Sequence, residues 1–176
     1  FVRRWRWPAI GVFAVLCAGL AVLWSSIEPT NDRDWQPDLA VLAYATMAGD
    51  KITVHNIRNF DYRSETDYTP AYYDKTFDLQ ELRSVDILTS YWAGPAIAHV
   101  FVSFGFPGDD YLSVSIEVRK PKGEAYSTLK GFFLQYELIY IVGDERDLIR
   151  LRTNYRHDPP EDVYVYRTKG SIEDGR

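Results

Sequence analysis

The sequence predicts an α+β fold: one N-terminal transmembrane helix followed by a mostly antiparallel sheet with few helices. Three observations predict it. An uncharged apolar run fills residues 9–24. Runs rich in β-branched and aromatic residues recur from residue 50 to residue 168, with turn residues between them. Only one stretch, residues 124–135, carries a helical period.

The apolar run comes first. Trp7 and Pro8 before it and Ser25 to Ile27 after it bring residues 9–24 to the ~20 residues that cross a bilayer's hydrocarbon core. Trp5, Trp7 and Trp24 stand where interfacial aromatic belts stand. Arg3, Arg4 and Arg6 lie on the N-terminal side only, so the positive-inside bias predicts a cytoplasmic N-terminus and export of everything after Ile27. A cleaved signal peptide has the same outline. Cleavage after Ala21, with Gly19 two before it, would leave Val-Leu-Trp as a very apolar new terminus, and an uncleaved anchor is the expectation. The sequence opens on Phe1 rather than Met and is expected to belong to a longer reading frame.

The expected organisation is a cytoplasmic basic stub at 1–8, the helix at 9–27, a linker at 28–37, the exported domain at 38–168 and a tail at 169–176. The linker is polar, with Pro29 and Pro37 and no periodicity. A strand follows the Gly49-Asp50 turn through residue 57. Residues 59–76, rich in Tyr, Asp, Arg and Ser, read as a long loop. Residues 82–92 read as a strand ending at Ala93-Gly94-Pro95. Residues 97–106 and 111–119 form the clearest unit, a hairpin across Pro107-Gly108-Asp109-Asp110. Tyr126, Leu129, Phe132, Phe133 and Tyr136 give the helical period of 124–135. Residues 137–142, 148–153 and 163–168 read as further strands, with a Gly143-Asp144-Glu145 turn after the first.

Charge and composition exclude some classes. The chain carries −5 although three arginines precede the apolar run, so the exported part is acidic and unlike a nucleic-acid binder. Its single cysteine, Cys17, cannot form an internal disulfide. It lies in the apolar run with Leu16 before it, where lipidation would want a small residue, and reads as a packed apolar side chain. His55, His99 and His157 have no metal-ligand spacing, and neither a metal nor a cofactor is expected.

The hairpin brings candidate chemistry together. Alternation places Val100, Val102, Phe104, Leu112, Val114, Ile116 and Val118 on one face, predicted to be the buried one. The opposite face carries His99, Ser103, Ser113, Ser115, Glu117 and Arg119. With the turn near Gly108, His99 lies across from residues 117–119, and a carboxylate that orients an imidazole is the base half of a nucleophile–His–acid arrangement. A polar face with an ordinary ion pair is the alternative. No serine stands in a Gly-x-Ser-x-Gly elbow. Residues 55–65 could grip a polar head group through Arg58 or Arg63. They could equally be cross-linked to Asp144, Glu145, Arg146, Arg150 and Arg152, a structural role slightly favoured here.

Four stretches carry a resemblance. These are Val54-His55-Asn56-Ile57-Arg58-Asn59-Phe60-Asp61-Tyr62-Arg63, Tyr91-Trp92-Ala93-Gly94-Pro95-Ala96-Ile97-Ala98-His99, Ser115-Ile116-Glu117-Val118-Arg119-Lys120 and Asp144-Glu145-Arg146-Asp147-Leu148-Ile149-Arg150-Leu151-Arg152-Thr153-Asn154-Tyr155. In this order they resemble the Lnb N-terminal periplasmic domain family. The resemblance implies a single-pass protein of the bacterial inner membrane, with a periplasmic domain similar to part of a permuted cysteine-peptidase or acyltransferase fold. It implies acyl transfer of the kind associated with lipoprotein N-acylation, with membrane lipids or lipoproteins as partners. The family's strand-borne histidine is matched by His99. Its later Asn-Cys pair has no counterpart here: the sequence ends Gly170-Ser171-Ile172-Glu173-Asp174-Gly175-Arg176 and contains no Asn-Cys. Truncation downstream or a divergent tail would account for that, and the chain alone is expected to be inactive. In this reading His99 is the general base, Glu117 orients it, and Arg58, Arg63, Tyr91 and Arg119 are candidate substrate-binding residues. The competing reading is a non-catalytic envelope module that binds a protein or lipid partner through an aromatic face.

Overall fold

Pro8 is the one proline in the apolar run, and it falls in a first helical turn, where a missing N–H costs nothing. The computed structural model describes residues 6–26, 28, 30–92, 94–133, 135–157 and 160–168, with only the backbone for Thr128 and Phe132. In it Arg6–Ser25 form α1, a helix of 20 residues in which no side chain is buried. At 1.5 Å per residue it is ~30 Å long, enough to span a bilayer core. The expected stub at 1–8 and tail at 169–176 lie largely outside the described residues.

The chain divides into two units, residues 1–33 and 34–176. The expected linker is thus shorter than 28–37, because its last residues belong to the domain. Trp35 and Leu39 are buried, and the Gln36 N–H donates to the Lys120 carbonyl at 3.0 Å.

In the second unit the strands are β1 (Tyr44–Ala48), β2 (Lys51–Arg58), β3 (Asp61–Tyr62), β4 (Tyr68–Thr69), β5 (Tyr72–Asp78), β6 (Ser84–Tyr91), β7 (Ala98–Phe106) and β8 (Asp110–Arg119). A short α2 (Thr128–Phe132), β9 (Glu137–Asp144), α3 (Glu145–Arg150) with a π-helical turn at Leu151–Tyr155, and β10 (Asp162–Arg167) complete it. The main sheet runs β1-β2-β9-β8-β7-β6-β10, with β5 also paired to β2. Its pairings are antiparallel except β2 with β9, which meet in parallel at Arg58 and Gly143. This is the α+β class that the sequence predicts.

Three segments differ from expectation. Residues 59–76 are not a structureless loop. They hold the β3–β4 hairpin and the start of β5, ordered by an aromatic cluster in which Phe60 lies 5.1 Å from Tyr68 and 5.3 Å from Tyr72. Residues 124–135 shorten to α2. Ser127 caps it by accepting from the Lys130 N–H, but Gly131 weakens the helix and Leu129 is 73% exposed, so no apolar face rewards extension. Residues 148–153 are helical rather than extended. Asp144 caps α3 by accepting from the Arg146 N–H, Glu145 and Asp147 match the dipole of its first turn, and Leu148, Leu151 and Arg152 bury one helical face at spacings of three and four. Gly143 just before it is required by close approach: a Cβ there would meet Leu148 Cδ1 at 2.8 Å and the Arg58 carbonyl at 3.1 Å.

The largest correction concerns the faces of the sheet. The apolar face of the hairpin, predicted to be buried, is the more exposed one, with Val100 and Ile116 open to solvent. The polar face is inside, where Ser103, Ser113 and Ser115 are fully buried. The reason is tertiary. Leu88, Phe101, Ile139 and Ile141 on the polar side share a core with Leu39 and Leu148, so α3 and the entry segment cover that side. The polar groups beneath them satisfy one another: Ser113 Oγ donates to Ser103 Oγ at 3.1 Å, and Ser103 Oγ to Glu145 Oε1 at 2.5 Å.

Candidate functional site

On this covered face β7 presents His99 and β8 presents Ser115 and Glu117, two residues apart and therefore on one side of the strand. His99 Nε2 is 2.7 Å from Ser115 Oγ and 3.2 Å from Glu117 Oε1. Ser115 Oγ itself donates to Glu117 Oε1 at 2.8 Å. The hydroxyl proton is thereby committed to the carboxylate, so the serine accepts from the ring. The pattern assigns the ring proton to Nε2 and leaves Nδ1 as the basic nitrogen. Among the described residues nothing hydrogen-bonds Nδ1. The ring stacks beside Phe101, with centroids 5.9 Å apart, and is partly open to solvent.

The π-helical turn closes the network from the other side. Arg152 Nη2 donates to Glu117 Oε1 at 2.6 Å while its guanidinium lies 5.1 Å above the Phe101 ring. Glu161, just before β10, receives Arg156 Nη1 at 2.8 Å, lies 3.6 Å from Arg152 Nε and accepts from Ser90 Oγ. Glu117, Arg152, Glu161 and Arg156 therefore alternate in charge along one run of contacts, which meets the histidine at Glu117. Burial works against charge on Glu117, but hydrogen bonding to His99 and the Arg152 charge outweigh it and hold its carboxyl well below the usual carboxylate range. The Glu117 carboxylate and the Ser115 hydroxyl together fix the ring through Nε2.

Ser115 is not placed as a nucleophile. It is fully buried, and its proton goes to Glu117 rather than to the imidazole. Cys17 lies in α1, in the other unit. Among the described residues no group of three or more potential ligands is arranged to hold a metal.

The other candidate residues lie elsewhere. Arg58 is buried against Asp147, with Nη2 2.8 Å from Oδ1 and Nε 3.1 Å from both carboxylate oxygens, and its Nη1 donates to the Asp38 carbonyl. Asp147 also accepts from the Phe60 N–H and the Tyr62 hydroxyl, so this pair locks the 55–65 segment onto α3. Arg63 sits on the β3–β4 hairpin, exposed and paired with Asp67. Arg119 donates to the carbonyls of Leu39 and Ala40 and covers Trp35 at 4.3 Å. Tyr91 pairs with Ala98, one residue on from the Ser90–His99 pair, and points to the opposite face of the sheet.

Sequence reasoning missed Arg152, Arg156, Glu161 and Ser90. A helical reading of residues 145–155 would have found Arg152, because its spacing from Leu148 marks a buried position. Glu161, between Pro160 and β10, leaves no comparable signal. No curated protein and no solved structure matches the chain. A family model does match, over residues 68–176, a span that includes His99, Glu117, Arg152 and Glu161. By that match the chain belongs to the Lnb N-terminal periplasmic domain family.

Proposed function

We propose that this domain supplies the histidine of a cysteine-dependent acyl-transfer site that acts on membrane lipids or lipoproteins. The chain is a membrane-anchored periplasmic protein, with a span-length apolar helix and a periplasmic domain of known family. The observation that carries the reading is the anchoring of His99 through Nε2 by Ser115 and Glu117, which leaves Nδ1 as a base beside a fixed negative charge. A thiol brought to Nδ1 gives up its proton, and the thiolate attacks an ester carbonyl. The departing alcohol takes the proton back from the imidazolium, leaving a thioester. An amine then attacks the thioester and passes its proton to the ring, and the thiol re-forms. The reading requires a thiol other than Cys17, which lies in α1.

The test is transfer of an acyl chain from phospholipid to a lipopeptide with a free N-terminal amine, by the protein at its natural length in a bilayer, followed by intact mass. His99→Ala should lower the rate by about 10²-fold or more while the protein still folds, as circular dichroism would check. Unchanged transfer would remove His99 from the mechanism. The second reading is a non-catalytic envelope module, and the exposed apolar side of the sheet favours it. Absence of transfer by the wild-type protein would favour that reading.

A further inference from the structure

The outer face of the main sheet has no part in the His99 network. Register places Tyr164 beside Thr89, Thr89 beside Val100, Ile116 beside Tyr140 and Val118 beside Leu138, all on the side opposite His99. On β6, β7, β8, β9 and β10 the charged residues of this face are Asp110 and Asp144 at its far end and Asp162 at the start of β10. One end is covered: β2 and β5 fold over Phe104, Leu112 and Val114 to enclose an apolar cavity of about 350 Å³. Among the described residues the rest is uncovered, with Tyr140 62% and Val100 53% exposed beside Ile116, Leu138, Tyr164 and Tyr166. A contiguous apolar face of that kind marks an interaction surface.

We propose that this face rests on the bilayer that the protein's own helix anchors, entering the interfacial region by hydrophobic contact. Between Ser26 and Asp34, whose carbonyl accepts from the Lys122 N–H of the domain, the intervening chain spans at most ~30 Å when extended. A lipid surface is therefore always within reach of a domain only a few tens of ångströms across. Of the faces of the domain, this is the one that gains apolar contact at such a surface. Its composition suits the depth. Aliphatic side chains form the middle, and Tyr140, Tyr164 and Tyr166 supply rings with one polar end, as at headgroup level. The face carries no lysine or arginine on β6, β7, β8 or β9, so attachment needs no anionic lipid and resists salt. The proposal goes beyond acyl transfer and stands or falls without it.

The test uses the full chain in phosphatidylcholine proteoliposomes, on a Cys17→Ala background. A nitroxide is attached through Tyr140→Cys or Tyr164→Cys, and through Lys51→Cys or Glu81→Cys for comparison. All four native side chains are exposed, and circular dichroism checks each variant. Power saturation should show collisions with lipid-dissolved oxygen exceeding those with a water-soluble nickel chelate at 140 and 164, and the reverse at 51 and 81. The pattern should persist at high salt. Nickel access at 140 and 164 equal to that at 51 would overturn the proposal. So would shielding from both reagents, which would mean a protein partner, or a second copy where dipolar broadening between labels appears. The two outer-face labels are independent, so one misfolded variant does not decide the outcome.

Discussion

On β9 two neighbours mark the two sides of the sheet: Ile139 is 2% exposed and Leu138 67%. Carried across β6, β7 and β8, the same alternation separates an inner face with buried serines, Glu117 and Arg119 from an outer face of valines, isoleucines and tyrosines. Polarity alone would have put the outer face inside. What reverses it is α3, which brings Leu148 and Arg152 to the inner face together with Leu39 from the entry segment. Burial here follows the element that covers a surface. Ser103, Ser113, Ser115 and Glu117 tolerate it because each of them finds a partner.

The largest effect should come from uncoupling that cover. Asp147, fully buried on α3, holds the guanidinium of Arg58 and the backbone of Phe60. Asp147→Asn leaves a buried cation without its counter-charge and should cost about 3–5 kcal/mol, read by chemical denaturation. A cost below ~1 kcal/mol would show that α3 stays in place without the pair, and would break the argument that it decides which face is inside.

Ile139→Ala comes next. The side chain packs with Leu39, Leu88, Phe101, Ile141 and Leu148, and its truncation should cost about 2–5 kcal/mol by the same measurement. The value locates the core on the polar side of the sheet.

Much of this was legible in the sequence. The Pro107 to Asp110 turn and its flanking alternation give β7 and β8 almost to the residue, and parity puts His99 and Glu117 on one face. Two things were hidden. Alternation says which residues share a face but not which face is covered, since that depends on a helix far along the chain. That helix was itself obscured, because Leu148-Ile149-Arg150-Leu151 fits a strand as readily as a helix, and only the Asp144 cap and the later Arg152 spacing distinguish them. Half of the network around His99 went unseen for the same reason. Likewise the tyrosines of residues 59–76 have no period, yet they order the segment by ring contacts with partners such as Tyr155.

Glu117 sharpens the comparison through pH. Its folded pKa is depressed below the ordinary glutamate value of 4.5, so its ionised form stabilises the fold at pH above the unfolded value, and that contribution is lost as pH falls through and below it. At pH 7 Glu117→Gln should cost about 1.5–3 kcal/mol, the range for hydrogen bonds to charged groups. Below pH 4.5 the gap to wild type should narrow. A gap that stays constant down to pH 3 would mean that the carboxylate is not what His99 and Arg152 recognise.

The smallest effect should be the most telling. Leu138→Ala changes the residue next to Ile139 on the same strand, and its side chain loses little buried surface because it has little. In detergent the stability change should stay within about 0.5 kcal/mol. Its pairing partner Val118 keeps its strand contacts, and no charge or hydrogen bond is disturbed. Set against the several kcal/mol expected at Ile139, this near-silence would establish that the outer face around Leu138 is not packed against the rest of the domain. If Leu138→Ala cost as much as Ile139→Ala, the outer face would be a second protein core, and a bilayer would have no access to it.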